Sequence, residues 1–113
     1  MHEMSLAESV LQIIEESARA QNFRRVRCVT LEIGQLAAVE PDAMRFCFDA
    51  VTHGSIAEGA QLEIIETPGE GCCEACGKTV ALQEQYGLCP QCGSPRLQIV
   101  AGNQMRVKDL EVE

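Results

Sequence analysis

The segment Cys72-Cys73-Glu74-Ala75-Cys76-Gly77, followed by Cys89-Pro90-Gln91-Cys92-Gly93, decides how this chain folds and what class of chemistry it carries. It contains two C-x2-C pairs with twelve residues between them. Two thiolates that close together in sequence grip one ion from a tight turn. Two such knuckles facing each other complete the tetrahedron that Zn²⁺ takes readily. The matched spacing selects Cys73, Cys76, Cys89 and Cys92 as zinc ligands, whereas Cys72 in place of Cys73 would give an x3 pair unlike its partner. Gly77 and Gly93, one after each pair, are expected at positive φ, so that backbone N–H groups turn toward the sulfurs. Seven cysteines in all is an odd count, which suits a closed disulfide framework poorly. Cys28 and Cys47 lie inside periodic apolar segments and read as small buried hydrophobes.

Working outward, residues 69–96 hold few apolar side chains, and a piece this small needs metal to serve as its core. Pro68-Gly69 marks its near boundary. Upstream, Ser5-Leu6-Ala7-Glu8 has the spacing of a capping box, and Leu6, Val10, Ile13, Ile14 and Ala18 follow at helical intervals. Alternation through Val29, Leu31 and Ile33 predicts a strand over 24–33. Glu40-Pro41-Asp42 opens a second helix, with an apolar stripe of Met44, Cys47, Phe48 and Val51, and His53-Gly54 closes it. Residues 61–67 read as another strand. Downstream, 97–101 and 104–112 flank Gly102-Asn103 as a hairpin, with a phase change near Lys108-Asp109. The expected architecture is α+β: two helices packed on a small mixed β-sheet, with an inserted zinc-ribbon-like domain. Residues 1–68 plus 97–113 form the main domain and 69–96 the metal domain.

Composition narrows the function. Of 113 residues, 46% are hydrophobic, enough for a real core, so wholesale disorder is excluded. Nine Lys+Arg against 17 Asp+Glu give a net charge of −8, and aromatics make up only 4%. A nucleic-acid or anionic-membrane partner needs the opposite charge, and base stacking needs aromatic platforms. No apolar run approaches a membrane span, and the opening residues carry acid where a secretory signal carries Lys or Arg, which makes the expected location cytoplasmic.

Only two histidines occur, and one is residue 2. A terminal amine, the amide nitrogen of residue 2 and the Nδ1 of His2 close adjacent chelate rings on one metal, and the Glu3 amide adds a fourth in-plane nitrogen. Four nitrogens in a plane suit Ni²⁺ or Cu²⁺ far better than Zn²⁺. Met1-His2-Glu3-Met4-Ser5-Leu6, the strand end Leu31-Glu32-Ile33-Gly34, Val39-Glu40, Phe46-Cys47-Phe48 with His53-Gly54, both knuckles and the closing Val107-Lys108-Asp109-Leu110-Glu111-Val112 together resemble the HypA/HybF family of hydrogenase nickel-incorporation proteins. The resemblance spans essentially the whole chain.

That resemblance implies a metallochaperone with two metal sites and no enzymatic turnover. Nickel is implied at Met1 (the terminal amine), His2 and Glu3, and Glu40 occupies the position of an acidic residue lying close to that site in relatives. Zinc is implied at Cys73, Cys76, Cys89 and Cys92. Where relatives carry histidines beside the knuckles, this chain has Gly77 and Gly93. Implied partners are the GTPase HypB and the nickel-free large-subunit precursor of a [NiFe]-hydrogenase, with the chain acting as monomer or homodimer. Neither a phosphate loop nor a histidine placed as a general base is present in the sequence. The competing readings are a zinc-ribbon protein-interaction module without metal transport, a rubredoxin-like iron electron carrier, and a thiol-disulfide oxidoreductase, which lacks the expected strand-to-helix context.

Overall fold

The computed structural model describes residues 2–84 and 87–113. In chain order the elements are α1 Glu3–Gln21, β1 Val26–Gly34, α2 Pro41–Thr52, β2 Gln61–Thr67, β3 Gly69–Cys73, β4 Thr79–Leu82, β5 Leu97–Ala101 and β6 Met105–Val112. The class is α+β, two helices with small sheets and a zinc-ribbon-like segment, as the sequence leads one to expect. The strands form two three-stranded sheets, ordered β2-β1-β6 and β4-β3-β5. The chain divides into two compact units. The first comprises Met1–Leu31, Val39–Ile64 and Val107–Glu113, and the second Glu32–Ala38 and Ile65–Arg106. Among the described residues no helix is long and apolar enough to cross a membrane.

In the first unit α1 packs on α2. The helix α1 buries Glu3, Ala7, Val10 and Ile14, one stripe at helical intervals. It begins two residues before the expected cap. His2 is the N-cap, and its carbonyl accepts both the Leu6 N–H at 3.1 Å and the Ser5 hydroxyl at 3.0 Å. Ser5 therefore sits inside the first turn and bonds backward to the carbonyl three residues earlier, the alternative open to any short hydroxyl side chain. At the other end Asn22 takes a left-handed conformation (φ 60°) and its N–H reaches the Ala18 carbonyl at 2.8 Å.

The helix α2 starts as its sequence directs. Pro41 opens it, and the Glu40 carboxylate accepts the Ala43 N–H at 3.0 Å. Met44, Phe48 and Thr52 are buried, while Phe46 is 74% exposed. The Arg45 guanidinium donates to the Leu62 carbonyl. In β1, Cys28, Val29, Thr30 and Leu31 are all buried, the pattern of a central strand covered on both faces rather than strict alternation. Cys28 is a buried hydrophobe, and burial pushes its thiol pKa up.

The second unit departs from the sequence reading. Residues 69–96 contain two strands, β3 and β4, that pair antiparallel with Gly71 opposite Val80, and β5 pairs antiparallel on the other side of β3. Hence β5 and β6 are not one hairpin: Gly102-Asn103 lies between them, but each joins a different sheet. The metal segment also has an apolar core. Leu36, Val80, Leu82, Leu97 and Ile99 gather around Cys73, Cys76 and Cys89. The strand Gly69-Glu70-Gly71-Cys72-Cys73 hid from pattern analysis because its glycines supply no alternating side chains. In β6, successive exposure of Lys108 and Asp109 gives the expected change of phase.

One contact in this unit is backbone against backbone. A Cβ added at Gly34 would lie 2.0 Å from the Gly102 carbonyl oxygen, and the Leu36 N–H bonds that same carbonyl at 2.7 Å. Gly34→Ala is expected to cost about 1–3 kcal/mol, the usual penalty for overpacking, read as a lower urea midpoint with unchanged slope. An unchanged midpoint would show that this approach is not tight.

Candidate metal centres

Both knuckles are built by the same hydrogen bonds. In the first, the Cys73 N–H donates to the Lys78 carbonyl at 2.9 Å and the Gly77 N–H to the Cys73 carbonyl at 2.8 Å. In the second, the Cys89 N–H donates to Ser94 at 2.8 Å and the Gly93 N–H to Cys89 at 2.7 Å. Gly77 and Gly93 have φ of 74° and 77°, the left-handed conformation expected of them. Their own N–H groups close the turns, and the sulfurs are served by other donors: the Cys76 N–H reaches Cys73 Sγ, and the Gln91 N–H reaches Cys89 Sγ, each at 3.4 Å.

The structure brings together Cys73, Cys76, Cys89 and Cys92, whose sulfurs all lie within 4.8 Å of one another. The Cys73–Cys92 and Cys76–Cys89 separations are 3.6 and 3.9 Å. A tetrahedral zinc with Zn–S bonds of about 2.3 Å requires sulfurs roughly 3.8 Å apart, so the cluster has the size of that ion. Electrostatics favour the thiolate at Cys73. The Cys76 N–H is the main donor holding the Cys73 thiol down to about 7. Cys92 moves the other way, to about 11: the Ser94 N–H draws it down, but the Cys73 sulfur and its neighbours push harder. Cys72 faces away from the cluster, since burial alternates along β3 and only Cys73 is on the enclosed side.

A polar clasp that no sequence motif announced links the two knuckles. Glu74, inside the first pair, accepts from Arg96 at 3.2 Å and Gln98 at 2.7 Å, and its N–H donates to the Arg96 carbonyl at 2.9 Å. The side-chain ion pair is exposed and worth little by itself; the backbone bond fixes the spacing.

The second candidate centre is the start of α1. Met1, named from the sequence as the terminal-amine donor, lies outside the described residues. His2 is exposed at the N-cap, and Glu3 is buried as the first helical residue. The first N–H groups of any helix have no acceptor in the helix's own backbone ladder, so side chains or other groups serve them. Glu3 and Glu40 are brought together: the Glu40 N–H donates to Glu3 Oε2 at 3.0 Å. That donor, with Glu3's own N–H, holds the Glu3 carboxyl below the usual carboxylate range. Glu40's own carboxylate caps α2. His53, by contrast, is an exposed residue paired with Glu58 at 3.1 Å.

Residues 1–112 match the family described as hydrogenase/urease nickel incorporation, metallochaperone, hypA. The hydrogenase maturation factor HypA of Azotobacter chroococcum mcd 1 is 59% identical over 113 residues, covering 100% of both chains. That of Azotobacter vinelandii is 58% identical with the same coverage. Among solved structures, the solution structure of the Ni metallochaperone HypA from Helicobacter pylori superposes with a TM-score of 0.74 at 28% identity, covering 99% of this chain and 97% of that one. With the whole chain matched at such identity, the protein belongs to the HypA family of nickel-incorporation metallochaperones, maturation factors rather than enzymes.

Proposed function

We propose that this chain takes up Ni(II) as cargo at its amino terminus and delivers it to the nickel-free large-subunit precursor of a [NiFe]-hydrogenase, acting in the cytoplasm with the GTPase HypB. The observation that carries this reading is the helix start: α1 begins at Glu3 with exposed His2 as its N-cap, so an imidazole and the first backbone nitrogens of a helix lie on adjacent residues. The Met1 amine, the His2 amide and imidazole, and the Glu3 amide supply four nitrogens, a set suited to square-planar nickel. Glu40 is a further candidate contact for the ion, with its Oε2 engaged at the Ala43 N–H. The work is ligand exchange: the chain binds, orients and releases the ion.

Zn(II) fits the thiol cluster and supplies structure. Cys73, Cys76, Cys89 and Cys92 would hold it, and residues 69–96 form the zinc domain beside a nickel domain of 1–68 plus 97–113. Zinc coordination in small sites is coupled to folding with roughly 10–16 kcal/mol of apparent binding free energy at pH 7. Cys76→Ala or Cys89→Ala is expected to abolish stoichiometric zinc and to speed amide exchange through both knuckles while α1 stays protected. Cys72→Ser and Cys28→Ser should leave zinc content unchanged. Continued protection of the knuckles in Cys76→Ala would refute the structural role.

The nickel site is tested by elemental analysis of untagged protein after nickel loading and dialysis. His2→Ala should abolish specific nickel binding; a residue added before Met1 should weaken it severely, because the amine becomes an amide; His53→Ala should do neither, and zinc should stay constant throughout. Bound nickel should be low-spin. Nickel affinity should fall as pH drops, because protons compete for the amine, amide and imidazole nitrogens. A protein extended at its amino terminus that binds nickel as tightly as the untagged one would overturn the reading.

A further inference from the structure

Glu3 is the one buried charged side chain among the described residues, only 6% exposed although it opens a helix next to exposed His2. A carboxylate removed from water needs strong donors. One of them comes from far along the chain: the Glu40 N–H, 37 residues away, bonds Glu3 Oε2 at 3.0 Å. Glu40 then repeats the motif one step further, its own carboxylate accepting the Ala43 N–H at 3.0 Å while its carbonyl accepts the Met44 N–H at 2.9 Å. A line of hydrogen bonds therefore runs from the first residue of α1 to the first turn of α2. The Glu40 N–H precedes α2 and has no role in that helix's own ladder, so the Glu3 carboxylate satisfies a donor that would otherwise go unpaired.

We infer that the Glu3 carboxylate is a positioning group for nickel, not a ligand: by bonding the Glu40 N–H it fixes the backbone at residues 2 and 3 so that the nitrogens there converge on one ion. This inference rests on the reading of His2 and the adjacent amides as nickel donors. A chain terminus is ordinarily loose, and a chelate formed by consecutive residues must first freeze their torsions. A side chain tied to α2 freezes residue 3 in advance. The carboxylate bonds the backbone just before α2 while the residue itself opens α1, so one residue joins the two helix starts. Since coupling is reciprocal, nickel binding must also be felt at the Glu40 and Ala43 amides.

The test uses the full-length, untagged protein with nickel alone as probe. Nickel affinity by competition with a chromophoric chelator, exchange of the Glu40 amide proton, and the d–d absorption of bound nickel are measured for the unchanged protein and for Glu3→Ala and Glu3→Gln. Glu3→Ala is expected to weaken nickel about 10–100-fold, the usual effect of losing a group that orients a ligand, and to expose the Glu40 amide. Its d–d spectrum should match the unchanged protein's, because the donor atoms are the same. Glu3→Gln keeps an acceptor oxygen and should recover most of the affinity and the amide protection. Glu3→Ala binding nickel as tightly as the unchanged protein would overturn the inference. So would an altered d–d spectrum, which would make the carboxylate a ligand. Should Glu3→Ala fail to fold, a folded Glu3→Gln with a protected Glu40 amide and lost nickel affinity would overturn it equally. His2→Ala retaining specific nickel is the separate result that would sink the underlying reading while leaving the Glu3–Glu40 bond intact.

Discussion

Four sulfurs held within 4.8 Å of one another are the constraint around which the second unit is organised. Thiolates at that spacing repel, and only a cation at their centre turns the repulsion into cohesion. Convergence in turn demands that both knuckles be tight, which demands positive φ at Gly77 and Gly93. It also demands that the strands leading into and out of them be fixed. The strand β3 ends in Cys73, and β5, which follows the second knuckle, pairs directly with it so that Cys73 lies opposite Leu97. Sheet, turns and sulfur cluster are thus one cooperative arrangement, and the apolar side chains of Leu36, Val80, Leu82 and Ile99 close it from one side.

The amino-terminal centre solves the opposite problem. The donors proposed there are an imidazole and backbone nitrogens rather than a cage of side chains. The start of α1 has a histidine as N-cap and a buried carboxylate tying its first turn to α2. Soft thiolates select zinc while strong-field nitrogens in a plane select nickel, so the proposed donor sets would sort the two ions between the two centres. Sorting matters in a nickel carrier, since a cargo ion trapped by the structural thiols would not be released.

Much of this was legible in the residues. Matched C-x2-C spacing named the four converging cysteines, because metal geometry is written in sequence separation. Pro41 after Glu40 and the periodic stripe through Met44 and Phe48 fixed α2, because caps and amphipathic faces are local. The strand β2 occupies the very residues that its apolar run marked. What stayed hidden was non-local. The strand β3 is too rich in glycine to show a period and β4 is only four residues long, so pairing across the sheet is what makes them strands. The Glu74 clasp and the Glu3–Glu40 bond join residues whose separation carries no signal. Ser5 was misleading for a local reason: a serine three residues before a glutamate reads as a cap, but His2 begins the helix one turn earlier.

In the proposed function one chain holds two ions in two donor sets that share no atom. X-ray absorption at both metal edges, on untagged protein carrying zinc and one equivalent of nickel, tests it directly. Four sulfur neighbours at about 2.3 Å around zinc and only nitrogen or oxygen neighbours around nickel are expected. Sulfur scattering at the nickel edge, or zinc with fewer than four sulfurs once nickel is bound, would contradict it.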